Sequence, residues 1–391
     1  MVEMVKIARR EAYILSDLGI SHMRSFSHFC APGLLTYGRI CGYFLAPADV
    51  TPAVPSPQKT LALLLILSLT NTSISCARLI GNSGSFNVLD YGATADRITD
   101  NSKAFLNSWN HACSSSAGSP EISGRLLNGL YVDGLGSIDG QGKEWWDQSC
   151  RHHPNMAMKF LSCNKSSISN INFINSSQTH TLVRGCNDFM VEHVFIQSPR
   201  YSPNNDGIHI QSSQFVTITN SNISTGNDCI SIGDHSSYIN ISDIHCGPGH
   251  GISIGSLGKG GNLTQVENIN VSNSFFSGTT NGARIKTWQV GTGYVRDVRF
   301  ENLEFNSVDN PIIIDQNYCD VRGACKEMPI GVHISNVVYE NMKGTSSTDI
   351  AINLNCSNSV PCTDITLQQI RLTSATLGGK VTAYCKNAHG Q

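Results

Sequence analysis

The sequence predicts an all-β solenoid, a parallel β-helix in which each coil buries its inner side chains against the next. Three observations predict it. From about Ser166 onward one theme recurs: a short β-branched strand, an Asn or Ser turn, and another short strand. Its copies are ISNINFINSS (168–177), MVEHVFIQS (190–198), FVTITNSNIS (215–224), YINISDIHC (238–246), VENINVSNSFFSG (266–278), VRDVRFENLEF (295–305) and VHISNVVYENM (332–342). Apolar residues alternate inside each copy, which is the period of a strand and not of a helix. The copies start roughly 20 to 35 residues apart, the size of a stacked supersecondary unit. A sandwich or propeller is the structural alternative, but strong two-residue hairpin signals and a Trp-Asp blade signature are both missing. Asn220, Asn222 and similar corner residues are expected to stack into amide ladders.

The N-terminal part divides differently. Residues 1–58 have no clear periodicity and end in a Pro-rich stretch; they form an unassigned extension expected to be disordered and to lie upstream of the true start. Residues 59–77 read as a signal-peptide-like segment: Lys59, an apolar core LALLLILSL (61–69), then small polar residues up to Ser75-Cys76-Ala77. The core is shorter than the ~20 apolar residues a membrane span needs. A membrane anchor through 61–69 is the rival reading. The solenoid domain is expected over 85–391. Within it, Ala104, Phe105, Trp109 and Ala112 have helical spacing in SKAFLNSWNHAC (102–113), which predicts a short helix capping the solenoid's N-terminal end.

Composition narrows the function. The 391 residues are 40% hydrophobic and only 14% charged, enough for a large core. A net charge of −2 offers no basic field and excludes nucleic acid as the expected partner. The 14 cysteines contain no CxxC pattern, so neither a metal site nor a cofactor is expected. Instead several lie close in sequence, making Cys229, Cys246, Cys319, Cys325, Cys356 and Cys362 disulfide candidates. N-x-S/T sequons begin at Asn164, Asn175, Asn222, Asn240, Asn262, Asn270 and Asn355. Together with the paired cysteines they point to a secreted glycoprotein.

Four clusters carry candidate chemistry. SPNNDGIHI (202–210) holds Asp206 in a turn, and TGNDCISIG (225–233) holds Asp228 at a turn-to-strand junction. Their spacing is close to one coil, so the two carboxylates are expected on neighbouring rungs about 4.8 Å apart. Carboxylates held that close raise each other's proton affinity, so the pair is either functional or costly. CGPGHGISIGS (246–256) brings His250 one coil further on, between glycines that leave the imidazole accessible. In RIKTW (284–288), Arg284 and Lys286 project to one face of a strand. A lone histidine is most often structural, and a cationic pair most often a solvated edge. Placed beside two acids, they suggest a groove for an anionic ligand. Two carboxylates flanking a bond are the equipment of glycoside hydrolysis, and nearby cations favour a polyanionic sugar.

These motifs identify a family. SPNNDGIHI resembles the S-P-N-T-D-G-I-H of plant-type polygalacturonases of glycoside hydrolase family 28. CGPGHGISIGSLG and RIKTW match that family's third and fourth motifs, and FNVLDYGA (86–93) and IDGQGKEWWDQSC (138–150) match its N-terminal part. The resemblance covers roughly 85–390. It implies a right-handed parallel β-helix of the pectin-lyase-like kind, acting as a monomer outside the cell on pectin or polygalacturonate in the cell wall. It also implies inverting hydrolysis, with Asp206 and Asp228 activating water and His250 next to the general acid. Arg284, Lys286, Tyr318 and Asn204 would then contact substrate. The second motif departs from the pattern. The family has G-D-D-C, and here Gly226-Asn227-Asp228-Cys229 puts an amide at the general-acid position. Asn has no titratable proton, so turnover would need another acid, and Asp228 could serve only with a raised pKa. The stretch from Cys113 to Leu135 is also too short for the family's first coils, and the chain stops before its final cysteine. Cys113 and Cys385 are expected to lack their usual partners. A catalytically inactive pectin-binding protein is the alternative function.

Overall fold

The computed structural model describes residues 158–321 and 325–391, the segments 23–30, 41–47, 88–92, 122–125, 131–133 and 137–140, and Asn107, Gly129, Gly142, Lys143 and Trp146. Among these, the strands from Ile122 onward form two parallel sheets, one 14-stranded and one 10-stranded, that run the length of a right-handed parallel β-helix. Each strand pairs with the strand one coil before and one coil after, and parallel pairing of this kind needs a crossover instead of a hairpin. Met23–Cys30 and Cys41–Pro47, inside the N-terminal extension, pair antiparallel in a separate sheet. The apolar segment 61–69 lies outside the described residues, as does the capping helix expected over 102–113, save Asn107, which is helical. No helix among the described residues is long and apolar enough to cross a membrane.

The alternation read from the sequence is what closes the core. In the ten-stranded sheet Ile208, Ile230, Ile252, Ala283 and Ile312 share one register position, and Ile210, Ile232, Ile254, Ile285 and Ile314 another. All ten are 0% exposed. Like side chains therefore stack on like side chains along the axis. The aromatics follow the same rule: Phe300 stacks on Tyr339 at 5.2 Å and 7°, and Phe276 on Phe305 at 5.4 Å.

The Asn turns have a backbone cause. Asn170, Asn220, Asn273, Asn302 and Asn341 take φ of 58°, 48°, 49°, 54° and 50°. That left-handed region penalises most side chains, and Asn tolerates it best after Gly. Side-chain ladders form at these corners, though further along the coil than the predicted Asn220 and Asn222. Asn302 Nδ2 donates to Asn273 Oδ1 at 3.1 Å, and Asn341 Nδ2 to Asn302 Oδ1 at 2.7 Å. The six candidate cysteines form the disulfides Cys229–Cys246, Cys319–Cys325 and Cys356–Cys362. Among the described residues, Cys186 and Cys385 are in no disulfide, and the buried Cys186 Sγ accepts from the Cys163 N–H at 3.3 Å.

Among the described residues, Tyr339 is one of several that break the rule that buried polar groups are paired. Tyr339 is 0% exposed and its hydroxyl has no hydrogen-bond partner. Burying an unpaired hydroxyl costs about 1–3 kcal/mol. Tyr339→Phe keeps the stack on Phe300 and removes that cost, so urea unfolding should find the variant about 1 kcal/mol or more stabler than the parent. A loss of stability would mean the hydroxyl has a partner.

Candidate active site

Register builds the site. Ile208, Ile230 and Ile252 align, and two residues before each stand Asp206, Asp228 and His250. Equal offsets from aligned residues put the three in one column, on the turns leading into three consecutive strands. Main-chain bonds fix the rungs: the Gly207 N–H donates to the Asp228 carbonyl at 2.9 Å, and the Cys229 N–H to the Gly251 carbonyl at 2.9 Å. Side chains between the inward isoleucines point outward, so His209, Ser231, Ser253 and Arg284 form a second outer column at one shared register position. Gly226 lets the Asp228 turn lie on the preceding coil, since a Cβ there would meet the Ser202 carbonyl at 2.0 Å. Gly251, with φ +82°, does the same for the His250 turn against Asn281.

Asp228 is 2% exposed and fully engaged. Its Oδ1 accepts from Arg284 Nη2 at 2.7 Å and from the Ser253 hydroxyl at 2.9 Å, and its Oδ2 accepts from Lys286 Nζ at 2.8 Å. Burial pushes its pKa up, but Lys286 and then Arg284 overcome that and hold the carboxyl at about 2. Asp228 is thus an ionised carboxylate near neutral pH. The condition under which it could serve as general acid, a raised pKa, runs against its surroundings, because Arg284 and Lys286 both pair with it.

Asp206 has the opposite fate. It is half-buried, and its Oδ2 accepts from the Ser231 hydroxyl at 2.7 Å. Burial, then the charge of Asp228, raises its pKa to about 6, against the Ser231 bond and the more distant Lys286 and Arg284. Its backbone is clamped from the coil below. The His180 N–H donates to the Asp206 carbonyl at 2.9 Å, and His180 Nδ1 to the same carbonyl at 3.0 Å. His180 is 0% exposed, and burial lowers its pKa to about 4, so the ring is neutral. Its Nε2 then accepts from the Ser198 hydroxyl at 2.9 Å. Next to Asp206, Asn205 donates to the Ser176 and Gln178 carbonyls at 2.6 Å each.

The remaining predicted residues surround this pair. His250 is half-buried; burial lowers its pKa, with Asp228 opposing. Its backbone N–H donates to the Asn227 carbonyl at 2.6 Å, and the Thr225 hydroxyl donates to the same carbonyl at 2.9 Å. Asn227 is half-buried in the turn between the two acids, and Asn204 sits in the Asp206 turn with φ 48°. Tyr318 lies under Lys286, whose Nζ is 5.5 Å from the ring centre, and meets Trp288 edge-on at 5.6 Å. Lys259 Nζ stands 5.0 Å from the Trp288 ring, extending the alternation of cation and aromatic ring along the edge. No group of three or more His, Cys, Asp or Glu among the described residues could hold a metal ion.

Sequence reasoning missed His180, His209, Ser231 and Ser253. For the serines a signal existed, because the tetrapeptide Ile-Ser-Ile-Gly occurs at 230–233 and again one coil later at 252–255. A repeat of that kind places the same hydroxyl beside each acid. What results chemically is two neighbouring carboxylates whose proton affinities are driven apart, an arrangement suited to acid–base work.

Comparisons with known proteins agree on one family. The description "Glycosyl hydrolases family 28" matches residues 97–391. A probable polygalacturonase of Arabidopsis thaliana is 38% identical over 356 residues, 77% of this chain and 80% of that protein. Polygalacturonase-2 of Solanum lycopersicum is 36% identical over 356 residues, 78% of each. Among solved structures, the endo-xylogalacturonan hydrolase from Aspergillus tubingensis superposes with a TM-score of 0.62 at 26% identity, covering 68% of this chain and 76% of its own. The polygalacturonase from Erwinia carotovora ssp. carotovora does so with a TM-score of 0.55 at 26% identity, covering 70% and 74%.

The two carboxylates should shape stability in opposite directions. From 3.8, its ordinary value, to about 6, Asp206 holds a proton in the folded chain that the unfolded chain has released, so stability falls as pH rises across that window. Asp228 stabilises above 3.8 and loses this contribution as pH drops towards about 2. Urea unfolding as a function of pH should show both slopes, and Asp206→Asn should remove the first and leave the second. Separately, Lys286→Met leaves Asp228 buried with one cation fewer. It is expected to cost about 3 kcal/mol, part of which Asp228→Asn in the same chain should restore.

Proposed function

The chain belongs to glycosyl hydrolases family 28, and from that premise we propose that it acts on polygalacturonate, cleaving α-1,4-galacturonan with inversion in the cell wall outside the cell. The observation that carries this reading is the pair Asp206 and Asp228 in one column, with Lys286 and Arg284 at 2.8 and 2.7 Å from Asp228. A chain of uronic acids is repelled by naked carboxylates. Here the more buried acid has its charge met by two cations, and the second carries a raised proton affinity, so the groove tolerates an anionic polymer. The relatives that share most of this chain's length are named polygalacturonases, which supports the same substrate.

In this reading Asp206 and Asp228 activate the attacking water from one side of the scissile bond, where inverting enzymes keep about 6.5–9.5 Å between acid and base for that water. Asp228 orients the water as a permanent carboxylate. Asp206 accepts the proton, and is free to do so once it is ionised, above about pH 6. His250 stands beside the acid position as a neutral imidazole. Arg284, Lys286, Tyr318 and Asn204 contact the sugar carboxylates and hydroxyls. Such contacts require Arg284 and Lys286 to share their donors between Asp228 and substrate, which Arg can do with its five N–H groups and Lys with its three.

A second reading rests on Asn227. The amide at the acid position cannot protonate the leaving oxygen, and neighbouring Asp228 is too strong an acid to replace it. That favours a protein that binds pectin and turns it over slowly or not at all. Reducing-end release from polygalacturonate by purified protein, against an Asp206→Ala control, tests hydrolysis. Asn227→Asp is expected to raise the rate by about 10²–10⁴, the worth of general acid catalysis. No release from either protein, together with salt-sensitive retention on immobilised polygalacturonate, would establish binding without turnover.

A further inference from the structure

The mechanism above leaves His209 without a role, although its ring lies in the outer column beside the two acids. His209 Nδ1 is 2.7 Å from the Ser231 hydroxyl oxygen, and that same oxygen is 2.7 Å from Asp206 Oδ2. A serine hydroxyl has one proton to give. An ionised carboxylate can only accept, so Ser231 donates to Asp206. The second short contact then needs its proton from the imidazole, which fixes His209 as the Nδ1–H tautomer. The ring is seated for this task. Gly233, on the next coil, lies against it, and a Cβ there would stand 3.3 Å from both Cε1 and Nε2.

We propose that His209, acting through Ser231, is a positioning residue for Asp206: a chain from imidazole N–H to hydroxyl to carboxylate holds one oxygen of the water-activating acid and favours its ionised form. This rests on the role of Asp206 in the hydrolysis proposed above. The chain runs in this direction only while Asp206 is ionised. A proton on Oδ2 would turn Asp206 into a donor, force Ser231 to donate to His209, and require the other tautomer. Reversing two short bonds opposes that protonation. It limits how far burial can raise the acid, and it keeps the carboxylate from rotating between rungs.

The surroundings of both groups are defined. Asp206 faces Asp228 from the next turn, and Lys286 and Arg284 from the strand Asn281–Trp288. His209 faces Asp228 and Lys286 on one side and Arg184 from the strand Thr181–Arg184 on the other. Burial and these cations keep the ring neutral, with its pKa lowered to about 4. His209 therefore acts as a neutral donor and not as a second charge.

The test measures where Asp206 titrates, without recourse to turnover. Unfolding free energy is followed against pH for the protein and for its Asp206→Asn variant, and their difference locates the Asp206 midpoint. The same pair of measurements is repeated in Ser231→Ala, His209→Leu and His209→Asn backgrounds. Ser231→Ala removes the hydrogen bond to the carboxylate and should move the midpoint up by about one pH unit, and His209→Leu, which leaves that bond but removes the donor behind it, should move it in the same direction by less. His209→Asn keeps an N–H donor near the Nδ1 position and should leave the midpoint in place. A midpoint that ignores His209→Leu, or a stability loss equal at every pH, would overturn the proposal. Ring ¹⁵N shifts of the parent protein give an answer even if a variant fails to fold: protonated Nδ1 with bare Nε2 supports the chain, and the reverse tautomer rejects it. An inactive protein with the predicted midpoints would retire the hydrolytic reading and keep the hydrogen-bond chain. An active one with unmoved midpoints would do the opposite.

Discussion

Register is the constraint on which the rest of this protein depends. Parallel coils pair residue to residue, so a side chain's neighbours are fixed by its offset from the aligned isoleucines of the core. The packing of Ile208 on Ile230 on Ile252 is therefore also what assembles Asp206, Asp228 and His250. A slip of one residue in any of these strands would turn the inward isoleucines outward and scatter the site at the same time. Core burial and chemical geometry are enforced by one set of contacts, which ties the site to the solenoid behind it.

Within that frame, burial alone would raise both carboxylates. Their difference comes from which partners reach them. Lys286 and Arg284 extend from a strand two coils past the Asp228 strand and end on Asp228, while Asp206 receives a hydroxyl and its backbone receives a histidine. The nearby cations set one acid low, and their greater distance from the other lets burial and like-charge repulsion win there. Two residues of the same type, one coil apart, thus end on opposite sides of the ordinary carboxylate value.

Much of this was legible in the sequence. The β-helix followed from alternation, repeat length and Asn corners, because in a solenoid local pattern and tertiary packing are nearly the same thing. The column of Asp206, Asp228 and His250 followed from spacing. Three disulfides followed from short separations between cysteines. What stayed hidden was the direction in which side chains spend their hydrogen bonds. Arg284 and Lys286 project on the expected face, but that they close on Asp228 depends on side-chain reach across coils, which spacing does not encode. The raised pKa that Asp228 would need to act as an acid is therefore the reverse of what its partners impose. His180 was missed for a related reason: it belongs to the coil below, and its bond is to a backbone carbonyl, which leaves no trace in residue type.

The way Asn227 is held has an evolutionary consequence. What the scaffold takes from this position is its carbonyl, which receives the His250 N–H and the Thr225 hydroxyl. Main-chain atoms are common to every amino acid, so the architecture is indifferent to which side chain stands there. Selection for a well-folded protein is then blind to a change of side chain at this position. Both bonds survive any exchange of side chain there, so in the reading proposed above a single codon separates hydrolysis from binding alone.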